Sequence, residues 1–189
     1  MVLANRYPEF PSSAAHSAIW IALVGASSIA GSLVFACAAP LAAIAALAAS
    51  TMDRKTGLAL VLTAWLSNQI VGYGFLGYPQ TLDSVAWGMV IGIATVVAFA
   101  CARAFAFRLH GRFLLFPLSF VFAFATYELV LFAAGLPLGA SSDAFSAATV
   151  WRVFEINVVA FVGLFVLHFA WSEVVRLTAL GTQKSQTAA

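Results

Sequence analysis

The run HSAIWIALVGASSIAGSLVFACAAPLAAIAALAASTM, from His16 to Met52, passes 37 residues without an Asp, Glu, Lys or Arg. At ~1.5 Å of rise per residue it is too long for one membrane span and only just enough for two. Pro40 decides where it breaks, because the residue before a proline is pushed out of the helical region. The run therefore predicts a first span over 16–36, a tight reversal through Ala36–Pro40, and a short second helix ending at Met52.

The rest of the chain agrees with a membrane setting. Of its 189 residues 63% are hydrophobic and 8% are charged, against roughly 25% charged in soluble domains. The 17 Phe, 5 Trp and 4 Tyr show no strand-like alternation, which argues against a β-barrel. Further spans are predicted over Thr56–Phe75, Leu82–Phe105, Phe113–Ala134 and Ser142–Thr178. Residues 1–15 read as a polar arm, 16–178 as the membrane domain and 179–189 as a loose tail. The expected fold is an all-α, six-transmembrane-helix bundle with a short second helix.

The positive-inside rule orients it. Six spans with a cytoplasmic N-terminus put Arg6, Arg54, Lys55, Arg103, Arg108, Arg112, Arg176 and Lys184 on the inner side, and no Lys or Arg in the outer loops. Only Arg152 is left over, within the sixth span. Merging the first two spans would separate Arg54 and Lys55 from Arg103, Arg108 and Arg112. Both termini are thus expected in the cytoplasm, with the protein multi-pass in the cell membrane (the inner membrane of a Gram-negative cell). A competing reading of the start is a lipoprotein signal cleaved before Cys37. Phe35 is bulky for that cleavage, and a second apolar helix follows where a polar linker would be expected.

With the depths so fixed, nearly every strongly polar intramembrane group falls in the outer half. Asn68 and Gln69 lie past the midplane of the third span, and the stretch that follows, Gly72 to Asp83, is rich in glycine and aromatic residues. Tyr73, Tyr78 and Trp87 give that loop stacking area, and the two amides give hydrogen bonds, as a pocket for an apolar ligand with a few polar handles requires. The plainer alternative is an interfacial aromatic turn. Tyr127 and Glu128 lie in the outer third of the fifth span, and Arg152 and Glu155 near the outer end of the sixth. Ionisable groups at such depths face protein or a water-filled cavity. Arg152 and Glu155, three apart, share a helix face, and Arg152 is also the expected partner of Glu128. Three roles stay open for this trio: an ion-pair staple between spans, ligand contact, or a proton relay.

Cys37 sits at the outer turn and reads either as a small buried hydrophobe or as a soft ligand for a metal centre borne by the bound molecule. Cys101 reads as packing, and His16 and His110 as interfacial. His168, near the inner end of the sixth span, is the exception among the strongly polar groups. The scattered histidines give no metal-cluster spacing, so no protein-built metal site is expected. Ala22, Ala26 and Ala30 recur every fourth residue, and Gly88-x-x-x-Gly92 lies in the fourth span; such stripes let helices approach closely. No phosphate-binding glycine loop, nucleophile–His–Asp arrangement or zinc-protease motif is present, so the chain is expected to be neither an enzyme nor an ATPase, with no cofactor of its own and no nucleic-acid partner.

In size, span count and orientation, with the stripe Ala22-Leu-Val-Gly-Ala26-Ser-Ser-Ile-Ala30, the chain resembles the substrate-binding S-components of energy-coupling-factor vitamin transporters and the solitary cobalamin transporters of the same fold. The resemblance implies a ligand cavity opening outward under loops 1, 3 and 5, loop 3 being Gly72–Asp83. It implies that Ala22, Ala26 and Ala30 contact a transmembrane coupling subunit served by ATPases. A cobalamin-type ligand would further imply a cysteine on the cobalt, for which Cys37 is the outer candidate. Two functions are therefore weighed. One is a membrane uptake protein or substrate-binding subunit for a small vitamin-like molecule, with Asn68, Gln69, Tyr73, Tyr78, Trp87, Tyr127, Glu128, Arg152 and Glu155 around the ligand. The other is a non-transporting structural or assembly subunit of a membrane complex.

Overall fold

A computed structural model of the protein describes residues 18, 19, 22, 39–106, 108, 112–141 and 143–187. The predicted arm over 1–15 and the predicted first span, with Ala26, Ala30 and Cys37, lie outside them, as do His16 and His110. Of that span Ala18, Ile19 and Ala22 are described, and all three are helical and exposed.

Every described element is helical: α1 (Leu41–Thr51), α2 (Arg54–Gly74), α3 (Leu82–Ala106), α4 (Arg112–Leu138) and α5 (Ala147–Thr187). Among the described residues three helices are long and apolar enough to cross a membrane: α3, Leu115–Leu138 of α4 and Ala147–Arg176 of α5. Six such spans were expected. The short α1 has the apolarity without the length, and α2 has the length but carries Arg54, Lys55, Ser67, Asn68 and Gln69. Large apolar side chains stay exposed in helical rows, Leu62, Leu66 and Ile70 on α2 and Val85, Met89 and Ile93 on α3. Rows of this kind are lipid-facing surfaces in a membrane helix and a liability anywhere else.

The centre of the fold is α1. All eleven of its residues are buried, none more than 9% exposed. Its sequence, LAAIAALAAST, explains how: six alanines let neighbouring helices approach closely, and its two hydroxyls are turned inward on the helix itself. Ser50 Oγ donates to the carbonyl of Ala46 and Thr51 Oγ1 to that of Leu47, each at 2.7 Å. The other four helices surround it. α2 packs on α1 and α3, α3 also on α4, and α5 on α1 and, more sparsely, on α4. α2 touches neither α4 nor α5.

Both ends of α1 are held by other helices. Asn157 of α5, 1% exposed, accepts from the Ala43 N–H through Oδ1 at 3.1 Å, taking one of the free donors of the first turn. Its own Nδ2 donates to the Val153 carbonyl at 2.9 Å. At the other end Arg103 Nη1 donates to the Met52 carbonyl at 2.6 Å, a cation where the helix dipole is negative. Asp53 then caps α2, its Oδ1 accepting from the backbone of Lys55 at 2.9 Å and of Thr56 at 3.1 Å.

Several predicted boundaries shift. The fifth predicted span, ended at Ala134, continues to Leu138 as α4, with Pro137 in its last turn and Gly139 at φ 68° just beyond. Gly135 is no break, because the Phe145 ring rests where a side chain would be. The sixth, begun at Ser142, starts at Ala147, since Ser146 is its cap: Ser146 Oγ accepts from the Thr149 N–H at 3.3 Å. Its helix also runs on through Thr187, so the tail predicted as loose is largely helical. Cys101, predicted to pack, is exposed on α3.

Candidate functional site

Two contacts fix how far α1 reaches. Along α3, from Arg103 to Leu82 is 21 residues and about 31 Å, whereas α1 rises only about 16 Å from the same level. Along α5, Asn157 lies ten residues, about 15 Å, from the start of the helix. Both measures agree. The N-terminal end of α1 stops near mid-depth, and the surrounding helices continue some 15 Å past it. Their far ends carry the 75–81 and 139–146 connections, here the loop end. The opposite end, with Arg54, Lys55, Arg103 and Arg108, is the basic end.

The predicted site residues all lie from that level towards the loop end, but they form two groups, and although α3 packs on α4, α2 touches neither α4 nor α5. The first is on α2 and α3. Asn68 is buried on α2, in line with Leu60, Val61, Ala64 and Val71. Gln69 Oε1 packs against Gly88, 2.8 Å from where a Cβ would stand. The Tyr73 hydroxyl is 3.1 Å from Ser84 Oγ, and its ring meets that of Tyr78 edge-on at 5.9 Å. The Tyr78 ring covers Gly72, and Trp87 is half-buried on α3. Trp65, which the sequence did not single out, completes the group: its Nε1 donates to the Gly88 carbonyl at 2.8 Å and its ring covers Gly92. The glycine pair thus seats two side chains from α2, where a bare backbone approach was expected.

The second group is on α4 and α5. Ring contacts set the antiparallel register of this pair: Phe124 on Phe154 at 5.1 Å, Phe120 on Phe161 at 5.0 Å, Phe116 on Phe165 at 4.6 Å. By that register Tyr127 stands about one turn beyond the end of α1, on the face of α4 turned to it. Tyr127 is 7% exposed, and neither its hydroxyl nor the half-buried carboxyl of Glu128 makes a hydrogen bond or ion pair with a described residue. Ionisable groups inside a membrane span normally face protein or a water-filled cavity.

The expected trio of Glu128, Arg152 and Glu155 does not form. Arg152 and Glu155 are both exposed, and among the described residues the one ion pair is Arg176–Glu173, at 2.9 Å. The reason is helical phase. Asn157 points to the core, and Arg152 and Glu155 lie roughly 140° and 160° round α5 from it. Glu155 instead accepts from Trp151 Nε1 at 2.8 Å on the outer face of the helix.

Asn157 is the residue that sequence reasoning undervalued. Its role as a clamp on a helix 114 positions earlier has no local sequence signal. Among the described residues no group of His, Cys, Asp and Glu has metal-binding proximity, and His168 is buried at 2% exposure. Comparison of the chain with family models, with curated proteins and with solved structures finds no match.

Proposed function

We propose that this chain is a membrane uptake protein, or the substrate-binding subunit of one, that takes a small vitamin-like molecule from the outer side into the space beyond α1. In this reading the bundle has six spans with both termini cytoplasmic, the loop end faces outward and the basic end inward. The observation that carries it is a fully buried half-length helix whose N-terminal end stops at mid-depth, one turn below a tyrosine and a glutamate that have no partner among the described residues. Half-helices ending near the midplane are how many transporters turn backbone dipoles toward a substrate. Tyr127 and Glu128 supply a hydroxyl and a carboxyl at that level, Asn68 an amide, and Trp87 an aromatic face. Arg152 and Glu155, turned away from α1, are left to the membrane interface. The resemblance to vitamin-transporter S-components adds the ligand class, with cobalamin as first candidate, and a coupling subunit with ATPases as partner.

A second reading has its own support. Trp65, Gln69, Tyr73 and Tyr78 are largely taken up in holding α2, α3 and their loop together, as in a structural subunit of a membrane complex. The two readings separate on purification. The uptake reading expects the full-length protein to carry a small molecule detectable by mass spectrometry after mild extraction. Tyr127→Phe with Glu128→Gln should cut that retention roughly tenfold or more, the worth of charge-assisted hydrogen bonds. Undiminished retention in the double variant removes these two residues from the site, and repeated absence of any retained molecule favours the structural subunit.

A further inference from the structure

On the outer flank of the α4–α5 pair lies an open groove of about 640 Å³ lined by Phe116, Pro117, Phe120, Val121, Phe154, Val158, Phe161, Val162 and Phe165. No lining residue is polar. Its open side is marked by Val121 and Val162, 51% and 56% exposed. We propose that this groove holds one acyl chain of an anionic phospholipid, with the phosphate at the basic end. The inference needs only the membrane setting and stands apart from any ligand beyond α1.

Length is the first argument. From Phe154 to Phe165 the groove runs about 16 Å along α5, close to half of a hydrocarbon core roughly 30 Å thick. It therefore matches the depth of one leaflet. The second is the form of its floor. Stacked phenyl rings hold α4 and α5 apart here, and the groove offers no glycine, alanine or serine on which a helix from another subunit could pack closely. A flexible chain fits such a floor where a second helix would rest on ring edges.

Charge is the third. The groove ends at Phe116, one turn from Arg112, where α4 begins, and Arg108, exposed, lies just before it. No Asp or Glu occurs between Asp83 and Glu128. On α5, Glu173 at this end is already paired with Arg176, and on α3 Arg103 is bonded to the Met52 carbonyl. By position in the sequence Arg108 and Arg112 thus flank the basic end of the groove, and juxtamembrane arginines favour anionic headgroups.

The test uses the full chain in nanodiscs of equal parts phosphatidylglycerol and phosphatidylcholine, re-extracted in mild detergent and weighed by native mass spectrometry. One retained phospholipid per chain is expected, phosphatidylglycerol over phosphatidylcholine by roughly tenfold. Val162→Trp and, separately, Val121→Trp fill the groove from its open side and should abolish retention while helix content and Tm stay unchanged. Arg108→Gln with Arg112→Gln should keep one lipid but erase the headgroup preference. Retention that survives both tryptophan variants overturns the proposal, as does equal retention of the two lipids by the unaltered protein. So does a dimer that Val162→Trp dissolves, since that assigns the groove to a second copy. If one tryptophan variant fails to fold, the other decides.

Discussion

Asp53 joins two helices, and its carboxylate does chemical work that can be titrated. Hydrogen bonds from the Thr56 side chain, then from the Thr56 and Lys55 backbone, with Arg103 nearby, outweigh the cost of partial burial and hold its pKa below the ordinary 3.8. A carboxyl lowered on folding contributes stability that is complete above the unfolded value and lost as pH falls through the folded one. The Tm of the detergent-solubilised protein should therefore drop as pH goes from 5 to below 3, and Asp53→Asn should flatten that part of the curve. Asp53→Ala, which removes the cap itself, should cost about 1 kcal/mol at neutral pH. A Tm unmoved by Asp53→Ala would show that Arg103 alone holds this junction.

At the same scale, Arg152 and Asn157 make opposed predictions from neighbouring turns of α5. Arg152 is exposed and has no ion pair with a described residue, so Arg152→Gln should change unfolding free energy by no more than about 0.5 kcal/mol. Asn157→Leu strips the partner from a buried N–H and should cost about 1–3 kcal/mol. Denaturant unfolding in a fixed micelle compares them. The sequence presented these residues the other way round. Charges inside an apolar stretch draw attention, and a lone asparagine does not, because its partner is a backbone group too distant in the chain to read.

Among elements, the α2–α3 seam turns on two glycines that look equivalent as a motif and are not. A Cβ at Gly92 would meet the Trp65 ring at 2.7 Å, and that ring is fixed by its bond to the Gly88 carbonyl. One at Gly88 would meet the end of the flexible Gln69 side chain at 2.8 Å. Alanine also gains up to about 1 kcal/mol over glycine in a helix. Gly88→Ala should then be near neutral, and Gly92→Ala should lose about 1–3 kcal/mol from overpacking. Equal losses, measured by thermal unfolding of the two variants, would mean that Gln69 is as rigid as Trp65.

The same scale shows what a helical pattern can disclose. Pro40 placed the start of α1 and the charges at 53–55 placed its end. Starts and stops governed by capping were harder: the span expected from Ser142 begins at Ala147, where Ser146 Oγ accepts from the Thr149 N–H. Phase was the larger loss. Knowing that α5 is helical fixes the angle between Arg152 and Asn157, but which of them faces α1 depends on the packing of other helices.

For the whole molecule, orientation is the property most open to direct trial. In a background with Cys37→Ala and Cys101→Ala, Gln80→Cys in intact cells should react with a membrane-impermeant thiol reagent and His110→Cys should not. Labelling at 110, or at both, would reverse or break the proposed topology. Charge asymmetry is the ground for this proposed arrangement and is read from the sequence alone. The division of the polar groups into two was not readable, since gathering them requires α2 to approach α4 and α5, and it touches neither.

The half-length of α1 bears finally on how the protein is made. Eleven residues cannot bridge a bilayer, and no surface of α1 is left to meet lipid once the bundle is complete. During synthesis it emerges before α3 and α5, the helices that hold its two ends. Its lasting entry must then await their arrival, so biogenesis is expected to proceed by late burial of an early segment. Chains truncated after residue 80 should leave α1 open to an aqueous thiol reagent at Ala46→Cys, and chains ending after residue 176 should shield it. Protection already complete at the shorter length would mean that α1 is carried into the membrane without its clamps.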